Sequence, residues 1–425
     1  MGRGAKPTLS SIGVLMFRSS PRRQRRLRRC VIVVENLPVP LDRHVWQQAI
    51  ALRDAGWRVS VICPKGKGAR AGREILEGID VYRHPLPLEG SGLTGYALEY
   101  SAALACEFWL LIRIFLKQGF DVIHACNPPD LIFLAAAPFK LLGVRFIFDH
   151  HDLAPELYES RFGNRPLHKI LLWLEALSFR MADHVISSNE SFREIALKRG
   201  GKRPECVSVV HTIPDTSRLK RVAPDRSARA GRGVVVGYLG VIGFQDGLDH
   251  LVDAAVSLRD DYGQEDFQVV VVGDGPALAS TRDQVSKLGL EAHFTFTGYL
   301  SGEALWAHLS DFDIGVIPDP RTPFNDRISM NKVFEYSALG IPIASYPLTE
   351  TVRLLGDAAV YAAEGSPRAL ATAIGSLIAD PDYRGAMARQ ALAVAEARFN
   401  WDRERAALLA AYDGLMPPPA DPADL

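Results

Sequence analysis

Several absences narrow what this chain can be. Its five cysteines, Cys30, Cys63, Cys106, Cys126 and Cys206, form no CxxC pair and stand at no metal-ligand spacing. That argues for a reducing compartment and against a structural metal. No stretch reaches the roughly 18 consecutive apolar residues that span a bilayer. The nearest, 102–116, is interrupted by Glu107 and Arg113 and reads as a buried or interfacial helix. Segment 33–45 holds no glycine, so the Gly-x-Gly-x-x-Gly turn of an NAD-dependent oxidoreductase is missing after the first strand. Residues 1–30 hold no acid but carry Arg3, Lys6, Arg18, Arg22, Arg23, Arg25, Arg26, Arg28 and Arg29. With a formal net charge of zero overall, everything beyond residue 30 is therefore acidic by nine charges. The apolar run 12–17 is too short for a secretory signal core. No aromatic residues interleave 22–29, which argues against nucleic acid. Residues 1–29 read either as an arm drawn to anionic lipid or as a disordered basic segment.

What is present is a soluble composition, 48% apolar and 23% charged over 425 residues, enough for two full cores. Short apolar runs alternate with helical patterns, the signature of parallel α/β domains. Strands are expected at 30–34, 59–63, 122–125, 145–148, 184–187 and 207–210, with helices at 45–55 and 167–181. Apolar periodicity vanishes between 214 and 233, which reads as a linker between domains 30–213 and 234–397. The second domain has expected strands at 234–238, 268–272, 293–297, 314–317 and 341–345. A last helical segment falls within 398–414, and 415–425 reads as a disordered tail.

The segment most informative about chemistry is Asn325 to Ser345. Ser329 is an expected N-cap, and Gly340 with Pro342 ends a helix of about three turns. Asn331, Lys332 and Glu335 share one face of it. A helix N-terminus beside a lysine suits a diphosphate, and a glutamate one turn deeper can accept hydrogen bonds from a ribose. The glycine turn 240–247 can bring a phosphate against backbone N–H groups, Gly243 among them. The turn Gly273-Asp274-Gly275-Pro276 lacks the third glycine of a dinucleotide fingerprint. In the first domain, Asp149-His150-His151-Asp152 ends a strand, where α/β sites form. Adjacent residues there point in opposite directions, so His150 and His151 do not share one metal.

The helix segment resembles retaining glycosyltransferases of family 4, and the likeness extends over 30–414, most strongly in the second domain. It implies a GT-B architecture: two Rossmann-like parallel-sheet domains facing across a cleft, with the last helix crossing back to the first. It implies transfer of a sugar from a nucleotide-diphosphate sugar to a glycan or lipid-linked acceptor, with no cofactor and no metal. Glu335 matches the second glutamate of the family's Glu-x7-Glu pattern, which holds the ribose; Arg327 stands where the first would be. Gln245 and Asp246 occupy the positions of the usual diphosphate cations, which leaves that charge to Lys332 and Arg327. Gly275 falls beside the nucleotide base. Of the two histidines, His151 matches the residue that reaches the donor sugar, with His150 the competing assignment. Arg43 and His44 are expected to face the cleft beside acceptor or phosphate, although Arg43 can equally pair with Asp42. The run Asn331-Lys332-x-x-Glu335-Tyr336 is similar to a branch found in polysaccharide assembly, placing the enzyme in the cytoplasm or on the inner membrane face. A nucleotide-sugar epimerase and a catalytically idle GT-B partner protein are the alternatives.

Overall fold

The computed structural model describes residues 27–66, 68–85, 92–163, 165–214, 219 and 221–416. The expected arm up to residue 26 and the tail from 417 lie outside them. Eight strands form the first sheet: β1 (Arg29–Val33), β2 (Arg58–Pro64), β3 (Arg73–Leu76), β4 (Ile79–His84), β5 (Val122–Cys126), β6 (Arg145–His150), β7 (His184–Ser187) and β8 (Val207–Val209). Their order is β3-β4-β2-β1-β5-β6-β7-β8, parallel except for the β3–β4 pair. The helices are α1 (Arg43–Asp54), α2 (Gly92–Gln118), α3 (Phe133–Lys140), α4 (Ala154–Phe162), α5 (Pro166–Met181) and α6 (Glu190–Lys198).

The second sheet holds β9 (Val234–Leu239), β10 (Phe267–Val272), β11 (Phe294–Gly298), β12 (Ile314–Ile317), β13 (Ile343–Ser345) and β14 (Ala359–Tyr361). All pair in parallel, in the order β11-β10-β9-β12-β13-β14. Around it lie α7 (Leu248–Asp260), α8 (Leu278–Lys287), α9 (Gly302–Ser310), α10 (Asn331–Ala338), α11 (Thr349–Leu355), α12 (Pro367–Ala379) and α13 (Pro381–Arg398), before α14 (Trp401–Leu415).

Strands covered on both faces read as unbroken apolar runs, and β1 shows why. Its Val31 and Val33 enter the core beneath α2, α3 and α5, while Cys30 and Ile32 enter the core beneath α1. Leu408 and Tyr412 of α14 complete that second core, and the Tyr412 hydroxyl meets His124 Nδ1 at 2.8 Å. The C-terminal helix thus belongs to the first domain.

The β3–β4 hairpin was not anticipated because its strands are rich in charge. Asp80 and Arg83 on β4 are buried, satisfied by Arg73 and by Glu74 with the Val39 carbonyl. Arg28 and Arg29, counted with the basic arm from sequence, belong to the folded body: Arg28 pairs with Asp413 and Arg29 opens β1. The expected linker is likewise packed on the second domain, through Arg221 on the Leu339 carbonyl and Arg229 on Asp311.

Candidate active site

The C-terminal ends of both sheets face one another, and β12 delivers the first important group. Two residues past its end stands Asp319, wholly buried, whose Oδ2 lies 2.8 Å from Lys332 Nζ. The same ammonium sits 4.4 Å above the ring of Tyr238 at the end of β9. Burial pushes the Asp319 carboxyl up to about 6, against the pull of Lys332. Lys332 lies in the first turn of α10, which has eight residues, two turns rather than the expected three. Its N-cap is Met330 with no side-chain cap, so Ser329 does not fill that role. An uncapped N-terminus keeps its amides and partial positive charge for an anion. Gly340 adopts φ 59° and the Ile341 amide closes on the Tyr336 carbonyl, the expected stop. Asn331 is exposed at the helix start. Glu335 is buried one turn deeper, its carboxyl raised by burial and opposed by the charges of Arg43 and Lys332.

The glycine turns serve packing first. A Cβ on Gly273 would lie 1.9 Å from the Gly240 carbonyl oxygen, and one on Gly275 2.5 Å from that of Ile242. The two turns are pressed together by the Ile242 amide on Asp274 O and the Ala277 amide on Ile242 O. The Gly243 N–H, expected to receive the diphosphate, donates to the Asp246 carboxylate at 2.8 Å. That amide is therefore engaged by an acid of its own loop.

On the facing wall, β6 ends in two histidines that diverge. His150 is wholly buried, 3.2 Å from Glu175, with its ring against Phe179 and Phe192. His151 is the more accessible ring, with Nδ1 3.6 Å from Asp149 Oδ1. Asn127 fixes its backbone, Oδ1 accepting from the amides of His151 and Asp152. Asp149 is the hub: its Oδ2 lies 3.0 Å from His44 Nε2, Gln48 Nε2 and His124 Nε2. Burial would raise this carboxyl, but the surrounding histidines hold it well below the usual range. His151 is shifted the other way: burial opposes protonation, and Asp149 outweighs it, raising the imidazole. His44 does not face the open cleft as expected. It is buried, edge-on to His151 with centroids 5.1 Å apart and its Nδ1 on Thr212. Arg43, beside it, is exposed and its charge acts on Glu335, while Asp42 caps α1 by accepting from the Val45 amide. His44, Asp149 and His151 lie close enough to share an ion, as do His124, Cys126 and Asp149. The donors gathered on Asp149 Oδ2, and a Cys126 thiol pushed up by burial, suit hydrogen bonding instead.

Arg327 is drawn away from the role expected of it. Its Nη1 crosses to the first domain and meets Glu156 at 2.7 Å. Glu156 also holds Arg199, which reaches Glu175 and through it His150. Asp326 turns elsewhere again, accepting from the Thr349 amide and hydroxyl at the start of α11. Sequence reasoning missed Asp319, Asn127 and Glu156. Only Asp319 left a signal, a lone acid just past a buried strand.

Residues 41–212 match the model of the glycosyl transferase 4-like domain, and 233–380 that of glycosyl transferases group 1. The chain is a glycosyltransferase. Over 346 residues it is 25% identical to the 2-deoxystreptamine glucosyltransferase of Streptomyces kanamyceticus, spanning 78% of this chain and 87% of that protein. Sucrose-phosphate synthase from Thermosynechococcus elongatus superimposes with a TM-score of 0.74 at 19% identity, over 91% of this chain and 99% of that one. Anabaena Alr3699/HepE in complex with UDP and glucose gives 0.69 at 16% identity, over 91% and 100%. The glycosyltransferase therefore has the GT-B fold, and its two matched domains fall in family-4-like order.

Proposed function

We propose that this glycosyltransferase moves a sugar from a nucleotide-diphosphate sugar to a glycan or lipid-linked acceptor, with retention of configuration. One observation carries the donor assignment: a lysine held by a buried carboxylate at the uncapped start of α10, with Glu335 one turn away. As the glycosidic bond to phosphate loosens, the diphosphate gains charge, which Lys332 and the helix N-terminus stabilise. Glu335 accepts from the ribose hydroxyls, and Asn331 lies at the phosphate end of the same helix. His151, on the opposite wall, donates to the donor sugar. Attack from the face of departure lets the leaving phosphate take the acceptor's proton, so no metal and no cofactor are required. Arg43 borders the acceptor side. Diphosphate seated on the Gly243 amide displaces Asp246 from it, and closure of the two domains excludes water.

The setting we infer is polysaccharide or lipid-linked glycan assembly on the cytoplasmic side, with the basic N-terminal arm adding attraction to anionic membrane. Thermal shift against a panel of nucleotide sugars tests the donor: a true one raises Tm by mass action, by about 2.7 kcal/mol of stabilisation at a hundred times Kd. Product anomers read by NMR test retention. A panel in which no nucleotide sugar shifts Tm, with no transfer detected, overturns the reading.

A further inference from the structure

Exposed apolar side chains of the first domain occur singly at Leu27, Leu37, Leu41 and Ile75, but along α2, α3 and α5 they are concentrated. Along α2, Trp109, Ile112 and Leu116 recur at helical spacing on the outside, Trp109 57% and Leu116 80% exposed. Leu141 and Leu142, at the end of α3, are 90% and 66% exposed, and α5 turns Ile170 and Trp173 outward. These helices cover the same face of the sheet, with Phe108 and Phe115 of α2 edge-on to Phe139 of α3, and α3 packed on α5. The side chains therefore form one patch, where single exposed residues would need no explanation. In the second domain the exposed apolar side chains fall mostly on loops and turns, Val241 and Phe244 after β9 and Tyr299 after β11, with Val352 on α11 and Tyr383 and Leu392 on α13.

Charge on this face has one sign. Arg113, Lys117, Arg145, Arg165, Lys169 and Arg180 are exposed among the apolar tips. The acids on α2 and α5, Glu107 and Glu175, are buried, and Asp183 is paired with Lys140 and Arg145. Glu99 aside, whose side chain lies outside the description, no acid stands on the outward described positions of α2, α3 and α5. Arg113 lies over the Trp109 ring at 5.4 Å, and an apolar recess of about 310 Å³ opens beside that indole, walled by Ala105, Cys106 and Leu110.

We propose that this face of α2, α3 and α5 docks on a bilayer of anionic phospholipid. A bilayer satisfies both features together: indoles settle at headgroup level, aliphatic tips enter the acyl boundary, and the cations meet lipid phosphates. A second copy of the chain is disfavoured as occupant, because pairing this face with itself opposes cation to cation. Among the described residues no helix is long and apolar enough to cross a membrane, so the contact lies on the surface. The proposal does not rest on the assigned reaction.

The test is flotation of the full-length protein with phosphatidylglycerol–phosphatidylcholine vesicles and with phosphatidylcholine alone. The protein is expected to float with the anionic vesicles and to be released by salt. Arg113→Glu/Lys117→Glu/Lys169→Glu should lower partitioning about 100-fold, at about 1 kcal/mol for each basic residue near the surface. Trp109→Ser/Trp173→Ser should lower it while leaving the melting temperature unchanged. Wild-type binding retained by both variants overturns the proposal, as does wild type that fails to float at low salt. It is overturned too by self-association in vesicle-free buffer that Trp109→Ser/Trp173→Ser abolishes, since the face would then be a dimer contact.

Discussion

The two walls of the cleft solve the burial of charge in opposite ways. In the first domain, Asp149 is ringed by His44, Gln48, His124 and His151, and its carboxyl is held well below the usual range. In the second, Asp319 has a single strong partner in Lys332 and its carboxyl is pushed up to about 6. The first arrangement is shared among many partners: His44 is held further by Gln48 and Thr212, and His124 by Tyr412, while His151 packs edge-on against His44. The second is a pair in which a better anion can take the lysine from the carboxylate. A rigid wall that positions therefore faces a soft wall that exchanges, which suits a reaction whose charge develops on one side only.

The comparison breaks most visibly if Asp149 is removed. Asp149→Ala leaves buried donors without an acceptor and should cost about 3–5 kcal/mol of folding stability, as for a broken buried ion pair. Denaturant melts read this, and a loss below 1 kcal/mol would mean that the hub is not what holds this wall. On the soft wall, Lys332→Ala strands the buried Asp319 and should also cost stability, though less than Asp149→Ala because a carboxyl already raised to about 6 can take up a proton. In the folded protein kcat should fall about 10²- to 10³-fold, the cost of losing one charge-stabilising donor. Arg327→Ala should do less, because its guanidinium is engaged by Glu156. Near-normal kcat in Lys332→Ala would move the diphosphate toward Arg43. Glu335→Ala should weaken nucleotide binding by about 1.5–3 kcal/mol, typical of a hydrogen bond to a charged group. Calorimetry that finds equal affinity removes Glu335 from the ribose.

Strands buried on both faces were legible from their apolar runs, as in 30–33 of β1, 269–272 of β10 and 314–317 of β12. The hairpin of β3 and β4 was not, since Asp80 and Arg83 read as surface residues until their partners are known. The site divides the same way. Lys332 and Glu335 were found because one helical turn carries both. Asn127 and Glu156 act on residues 24 and 171 positions away, and no local pattern announces such a contact. Arg327 shows the converse: a cation at the expected place in sequence was claimed by a carboxylate of the other domain.

The smallest expected effect is the sharpest test of exchange at the soft wall. Because burial raises Asp319, its contribution to folding stability is present in full below about pH 4, the unfolded value, and is lost as pH rises through about 6. Seating a diphosphate on Lys332 adds negative charge beside this carboxylate and favours its protonated form, so binding takes up a proton. Donor affinity should then fall as pH rises above about 6, by at most tenfold per unit for one linked proton. A nucleotide sugar is the right probe, because its substituted diphosphate does not itself titrate between pH 5.5 and 8. His151 also titrates upward of its ordinary value, and the control for it is Asp319→Asn, which keeps the imidazole and removes the carboxylate. That variant should bind donor at pH 7.5 at least as tightly as wild type, with a flatter pH profile. Parallel profiles for the two proteins would mean that Asp319 keeps Lys332 throughout and that the diphosphate sits elsewhere.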